Sequence, residues 1–80
     1  MKTVRVRYHA MLREQAGCDE ETIATLAATP AALFEELRRK HGFTLPAERL
    51  RVAVNGDFCR WSVPLPADAL VVFIPPFAGG

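Results

Sequence analysis

Residues 70–74 read Leu-Val-Val-Phe-Ile, and this stretch decides the fold. Side chains that are apolar at every position are typical of a strand inside a sheet, covered on both sides for much of its length. The proline pair Pro75-Pro76 follows at once and stiffens the chain. We therefore expect the last strand to occupy the centre of its sheet.

The N-terminal segment alternates apolar and polar residues with a period of two. Val4, Val6 and Tyr8 share one parity, which predicts a first strand over about residues 2–9 with one buried face. The next residues are good helix formers and are followed by Gly17. They predict a short helix over residues 10–16 that ends in a left-handed cap.

A second strand and a longer helix are predicted next. β-Branched residues within 21–26 favour a strand that pairs with the first as a hairpin. Thr29 as N-cap and Pro30 at the first helical position predict the start of the main helix, and Gly42 predicts its end. An apolar stripe lies opposite a charged surface, so we expect this helix to cross one face of the sheet.

Two further strands are predicted before the last one. Residues 50–54 are typical of a strand, and Asn55-Gly56 is a strong signal for a tight hairpin turn into a short return strand at 57–61. The order of elements gives an α+β fold of the β-grasp (ubiquitin-like) arrangement. We expect a mixed sheet of four or five strands in a single domain, 1–80, with an extended tail at 75–80.

Composition excludes several classes of function. Ten basic and nine acidic side chains give a net charge of +1, which provides no bulk attraction to nucleic acid or to an anionic membrane. No apolar stretch is long enough to cross a bilayer, and the N-terminal segment lacks the continuous apolar core of a secretory signal. We expect a soluble cytoplasmic protein without nucleic-acid or membrane partners.

Residue types that carry catalytic or metal chemistry are few. Cys18 and Cys59 lie far apart without a CxxC spacing. Even together with the two scattered histidines, they do not readily supply the ligands of a zinc site. His9 has no evident nucleophile or acid partner, and His41 is explained by the dipole at a helix end. We expect no metal, no bound cofactor and no catalysis by this chain alone.

The segment after the last strand combines stiff residues, an aromatic ring and paired glycines. Prolines lower the entropy lost when such a segment inserts into a partner, and glycines let the backbone lie against narrow walls. Fully extended, the segment spans at most roughly 20 Å. The residues predicted to thread into a partner are Pro75, Pro76, Phe77, Ala78 and Gly79. The alternative is a frayed end without a role.

Strand parity predicts a docking surface on the sheet face that the helix leaves open. Residues of the parity opposite to Val4 and Val6 combine an apolar strip with arginines, as protein interfaces often do. The predicted interface consists of Arg5, Arg7, His9, Arg51, Phe58, Val72 and Ile74. Two alternatives stay open: a merely solvated face for the arginines, and a separate cluster of Phe58 with Trp61 under the proline-rich loop.

Several motifs resemble one protein family. The stretches YHAMLRE (8–14), VAVNGD (52–57) and VFIPPFAGG (72–80), with the Pro-Leu loop before the last strand, resemble the small subunit of molybdopterin synthase, a sulfur carrier. The terminal motif is the most specific part of a resemblance that covers nearly the whole chain. Two features depart from it: residues 67–69 replace an acidic turn, and His9 replaces an aromatic or aliphatic residue.

The resemblance implies a role for the C-terminal carboxylate of Gly80. In this family, an E1-like adenylating enzyme uses ATP to form an acyl-adenylate there, and a persulfide from a sulfurtransferase replaces AMP to leave a thiocarboxylate. The large catalytic subunit of molybdopterin synthase accepts the tail, and the sulfur passes to a cyclic pyranopterin precursor. The resemblance thus implies three protein partners, no bound cofactor, and ATP used only by the adenylating enzyme.

Other functions are compatible with the same tail. It would also serve a sulfur carrier for thiamine or another metabolite, or a ubiquitin-like modifier joined to lysines through Gly80. A β-grasp interaction domain with an inert tail is a further alternative. The chemical state of the C-terminus distinguishes them: a thiocarboxylate for a carrier, adducts on other proteins for a modifier, and neither for an inert domain.

Overall fold

The computed structural model of the protein describes residues 1–76. Its elements are β1 (Lys2–Tyr8), α1 (Ala10–Ala16), β2 (Glu20–Thr25), α2 (Pro30–His41), a 3-10 helix (Ala47–Arg49), β3 (Arg51–Val54), β4 (Asp57–Cys59) and β5 (Leu70–Ile74). Every predicted helix and strand is present. Strand ends differ slightly from the prediction, most at β4, which stops before Trp61. The 3-10 helix was not predicted.

The five strands form one mixed sheet in the order β2-β1-β5-β3-β4. β5 runs parallel to β1, whereas the neighbouring pairs β1–β2, β3–β5 and β3–β4 are antiparallel. The last strand of the described chain therefore lies between the first and the third, at the centre. This is the β-grasp arrangement, and the predicted fold is confirmed.

α2 begins and ends as its sequence predicts and packs across one face of the sheet. The Thr29 side chain accepts a hydrogen bond from the Ala32 N–H at 3.2 Å, and Gly42 takes the left-handed conformation with φ of 72°. Phe34 of the helix meets Phe73 of β5 edge to face, with ring centres 5.2 Å apart. The core of the domain thus lies between α2 and β1, β3 and β5.

β5 is covered on one side only. Val71 and Phe73 point towards α2 and have no solvent exposure, while Val72 and Ile74 are half-buried on the other side. The prediction that both sides are covered for much of the strand was wrong. The reason is that α2 packs on a single face, so the apolar residues of opposite parity face outward.

The register of β4 places Phe58 and Trp61 on different sides of the sheet, although one alternative from the sequence grouped them in a single cluster. Phe58 pairs with Ala53 and points away from α2, and 57% of its surface is exposed. Trp61 lies on the inner side, stacked on Phe73 with ring centres 5.8 Å apart. The alternative prediction of a shared cluster of Phe58 and Trp61 under the proline-rich loop is therefore wrong.

Candidate functional site

The sheet face opposite α2, hereafter the open face, carries the predicted docking residues. One cross-strand row runs through all five strands and consists of Phe58, Ala53, Val72, Arg7 and Glu20. In the neighbouring row, Arg51 pairs with Ile74. Strand alternation places these side chains on one surface, as predicted from parity.

Two of the three arginines on the open face share one carboxylate. Arg7 donates hydrogen bonds to Glu20 from Nε at 3.2 Å and from Nη2 at 3.0 Å. The Arg5 guanidinium lies 3.9 Å from the other oxygen of Glu20. All three side chains remain substantially exposed, so the pairs hold geometry more than they add stability.

The third arginine has a different contact. Cζ of Arg51 lies 4.4 Å from the centre of the Phe58 ring, within the range of a cation–π interaction. Both side chains are exposed. An aromatic ring and a guanidinium therefore form one stacked unit next to the apolar strip of Val72 and Ile74.

A groove of about 800 Å³ opens at the end of β5. It is lined by His9, Ala10, Met11, Leu45, Arg49, Ile74, Pro75 and Pro76. Among these lining residues of the described chain, His9 and Arg49 can carry positive charge and none is acidic. Because Ile74 belongs both to this groove and to the open face, the two form a continuous surface around the base of the tail.

The tail begins at this groove. Pro75 is buried and Pro76 is exposed. The other predicted tail positions, Phe77, Ala78, Gly79 and Gly80, lie outside the residues that the structure describes. The chain therefore passes directly from β5, at the centre of the sheet, to the groove where the tail starts.

The turn before β5, where the sequence departs from the resembled family, is closed by backbone contacts with β1. The Asp68 N–H donates to the Thr3 carbonyl at 2.7 Å, and the Arg5 N–H donates to the Ala69 carbonyl at 2.9 Å. Asp68 takes a left-handed conformation with φ of 61°, which aspartate tolerates better than most residues. The different turn thus still sets the start of β5.

A polar network lies on the helix side of the sheet. Glu21 of β2 accepts hydrogen bonds from the Tyr8 hydroxyl at 2.5 Å and from Lys40 Nζ at 3.0 Å, and bonds to His41 Nε2 at 2.6 Å. Burial raises the pKa of Glu21, but these bonds lower it by more, to about 2. Burial also raises the pKa of Tyr8 far above its ordinary value. The carboxylate is thus ionised and the phenol protonated near neutral pH, which suits a structural network.

The remaining reactive groups form no centre within residues 1–76. No group of three or more His, Cys, Asp and Glu side chains in this range is arranged to hold a metal ion. Cys18 and Cys59 are free and half-buried, and burial raises the pKa of the Cys18 thiol, which keeps it a weak nucleophile. No helix of the described chain is long and apolar enough to span a bilayer.

The structure brings most of the predicted interface residues together. Arg5, Arg7, Arg51, Phe58, Val72 and Ile74 share the open face, and His9 lies at the adjoining groove. The sequence did not single out Met11, Leu45 and Arg49, which line the groove. They come from three separate segments, and only the folded chain places them side by side.

Comparisons with solved structures support the fold. A putative molybdopterin converting factor subunit 1 from Pyrococcus furiosus is 29% identical, with 96% of this chain and 100% of that chain aligned at a TM-score of 0.82. Small archaeal modifier protein 1 from Haloferax volcanii is 18% identical over 96% and 100% of the chains, with a TM-score of 0.81. The second likeness is evidence of fold alone.

A third structure is a complex of subunits 1 and 2 of molybdopterin-converting factor from Helicobacter pylori. Its matched chain is 23% identical, with 98% of this chain and 99% of that chain aligned at a TM-score of 0.69, and it again supports the fold alone. A search of the curated proteins finds no match. The family model described as the ThiS family matches residues 6–80, which is nearly the whole chain. The chain therefore belongs to the ThiS family.

Proposed function

We propose that this protein is the sulfur-carrier small subunit of a molybdopterin synthase and works in the cytoplasm. The observation that carries the proposal is the position of the Pro-Pro-Phe-Ala-Gly-Gly segment, 75–80. It follows the central strand of a β-grasp sheet, in a chain whose family match extends to residue 80. The likeness to a converting-factor subunit adds support for the molybdopterin branch of this chemistry.

The first chemical step activates a carboxylate, which by itself is a poor acyl donor. The Gly80 carboxylate attacks the α-phosphate of ATP on an adenylating enzyme, which gives an acyl-adenylate and releases pyrophosphate. A persulfide of a sulfurtransferase then attacks the carbonyl carbon and displaces AMP. A second thiol cleaves the resulting acyl disulfide, which leaves a thiocarboxylate on Gly80 and a protein disulfide.

The second step transfers sulfur to a substrate held by the large subunit. The thiocarboxylate sulfur attacks a carbon of the pyranopterin precursor as a C–O bond at that carbon breaks, and the oxygen leaves with the bonding electrons as water. A water molecule then hydrolyses the resulting thioester, which leaves the sulfur on the product and a carboxylate on Gly80. This chain supplies the sulfur and no catalytic side chain. The partner must exclude water from the activated ends, and a narrow tail with two terminal glycines suits entry into such a site.

The open face and the groove at the base of the tail would form the contact with the large subunit. Val72 and Ile74 offer half-buried apolar surface beside arginines, and His9 and Arg49 stand at the groove. A partner that covers this surface would hold the tail at the entrance of the partner's own active site. Docking and insertion would then occur together.

Protein modification is the second candidate, because the fold is shared with small archaeal modifier proteins. It uses the same acyl-adenylate but ends in an amide bond between Gly80 and a lysine of another protein. A carrier for thiamine or another metabolite uses the same thiocarboxylate with a different acceptor. Formation of the dithiolene from the large subunit and the pyranopterin precursor distinguishes the first candidate from the other two, and adducts on other proteins identify a modifier.

The test is a reconstituted charging assay with the full chain, its adenylating enzyme, ATP, a persulfide-loaded sulfurtransferase and a thiol reductant. We expect thiocarboxylate in the wild type and essentially none in Gly79→Val or Gly80→Val, because a branched side chain blocks the narrow path. Ala24→Val, which introduces the same valine side chain at an exposed position on β2, should charge normally. Normal yield from either tail variant would refute the mechanism.

A further inference from the structure

The three arginines of the open face differ in what they contact within the chain. Glu20 lies 3.9 Å from the Arg5 guanidinium and 3.0 Å from that of Arg7. Among residues 1–76, no carboxylate lies within ion-pair distance of Arg51. Of the three arginines on this face, Arg51 is therefore the one whose charge has no carboxylate partner within the described part of the chain.

The Arg51 guanidinium is also oriented in advance. Phe58 holds it by stacking, with Cζ at 4.4 Å from the ring centre. Stacking uses the flat face of the guanidinium and leaves its N–H edge for hydrogen bonds. A carboxylate is the acceptor that matches this edge, since it takes two parallel N–H bonds from one arginine.

The surroundings of Arg51 make such a contact stronger when a partner binds. Arg51 pairs in register with Ile74, the last residue of β5, so it stands beside the base of the tail. Val72 and Ile74 supply apolar surface on the same face. A partner that covers this surface removes water around Arg51, and the lower dielectric strengthens the ion pair.

We propose that Arg51, stacked on Phe58, binds a carboxylate of the partner protein that receives the tail. That partner presents an acidic side chain flanked by apolar residues, and the pair fixes where the tail enters. Charge complementarity supports this occupant, because the charged strand residues of the open face are Arg5, Arg7, Arg51 and a single glutamate, Glu20. The inference rests on the proposed function, which requires such a partner.

The test is calorimetric binding of the full-length chain to the large subunit of the synthase from the same organism. Arg51→Met keeps the apolar stem and removes the charge, and we expect affinity about 30-fold weaker or worse. Arg51→Lys keeps the charge without the planar edge and should remain several-fold weaker. Arg38→Met, which removes an exposed arginine from the last turn of α2, is the matched control and should bind like the wild type.

A second variant tests the stack. Phe58→Leu keeps an apolar side chain but removes the ring, so we expect several-fold weaker binding. The circular dichroism spectrum of this variant should match that of the wild type. Binding of Arg51→Met at wild-type affinity would overturn the inference even if the wild type is charged with sulfur and binds. Absence of both charging and binding in the wild type would overturn the proposed function and this inference with it.

Discussion

Glu21 is the residue at which β1, β2 and the end of α2 meet. Its carboxylate bonds to Tyr8, Lys40 and His41, and these groups lie 13, 19 and 20 residues away in sequence. Both the Glu21 and His41 side chains are largely buried, with 17% and 11% of their surface exposed. A carboxylate in such a site needs its donors, because burial without them is costly.

The Glu21 network predicts a defined dependence of stability on pH. The folded pKa of about 2 lies below the ordinary 4.5, so the ionised carboxylate stabilises the fold above pH 4.5. This contribution is lost as the pH falls from 4.5 towards 2. We expect Glu21→Gln to lower the free energy of unfolding by about 2 to 3 kcal/mol at pH 7.

Urea unfolding at several pH values checks this prediction. The difference between wild type and Glu21→Gln should shrink as the pH approaches 2, because the wild-type carboxyl becomes protonated there. Glu14→Gln is the control, since that side chain is exposed on α1. A difference that stays constant between pH 7 and pH 2 would contradict an ionic role for Glu21.

At the scale of elements, the β3–β4 turn also holds the start of β5. The Asn55 N–H donates to the Leu70 carbonyl at 2.8 Å, and the Asn55 side-chain oxygen accepts from the Leu70 N–H at 2.9 Å. Asn55 and Gly56 both have positive φ, 52° and 91°. The turn residues therefore do two things: they reverse the chain and they bind the central strand.

Variants of Asn55 separate these two contributions. Asn55→Gly tolerates the left-handed backbone and loses only the side-chain bond, so we expect a loss of about 1 kcal/mol. Asn55→Ala also meets the steric cost of positive φ and should lose about 1 kcal/mol more. Thermal or urea unfolding measures both. Equal stability of the two variants would show that backbone conformation contributes nothing at this turn.

At the scale of the whole molecule, the two faces of the sheet differ in burial, and our proposal assigns recognition to the open face. Its inner face packs on α2, while its open face leaves Val72 half-buried next to the fully buried Val71. Under the proposed function, these neighbouring residues of one strand have different roles. Substitutions of identical chemistry at these two positions should have different consequences.

The pair Val71→Glu and Val72→Glu tests this division. Val71→Glu places a charge in the core and should unfold the domain, at a cost of several kcal/mol. Val72→Glu should keep the fold, with at most about 1 kcal/mol lost, but abolish measurable binding to the large subunit. Circular dichroism and a binding assay give both readouts. Unchanged binding by Val72→Glu would exclude the open face as the docking surface.

Local signals explain which parts of the fold the sequence predicts. The caps at Thr29 and Gly42 and the Asn55-Gly56 turn depend on a few adjacent residues, and the structure confirms them. Strand parity likewise predicts which side of β5 faces outward. What parity alone does not give is how many layers cover the sheet, so β5 was wrongly expected to be buried on both sides.

The candidate site is less accessible to sequence reasoning because its parts are distant in the chain. The groove joins residues of α1, the 3-10 helix and the segment before it, and the end of β5. The Glu21 network and the Arg51–Phe58 stack also depend on the register of the strands, and no local sequence motif predicts them. The tail motif, in contrast, is visible in the sequence, while its last four residues lie outside the described structure.

The most direct test of sulfur carriage is the chemical state of the C-terminal tryptic peptide, 61–80, from protein purified out of cells. This peptide follows Arg60 and contains neither cysteine nor methionine, so a thiol-specific alkylating reagent can label only a thiocarboxylate. We predict sulfur in place of one oxygen at Gly80 and a single alkyl label, both lost when the adenylating enzyme is deleted. A peptide that carries only an ordinary carboxylate in cells that produce molybdenum cofactor would contradict sulfur carriage by Gly80.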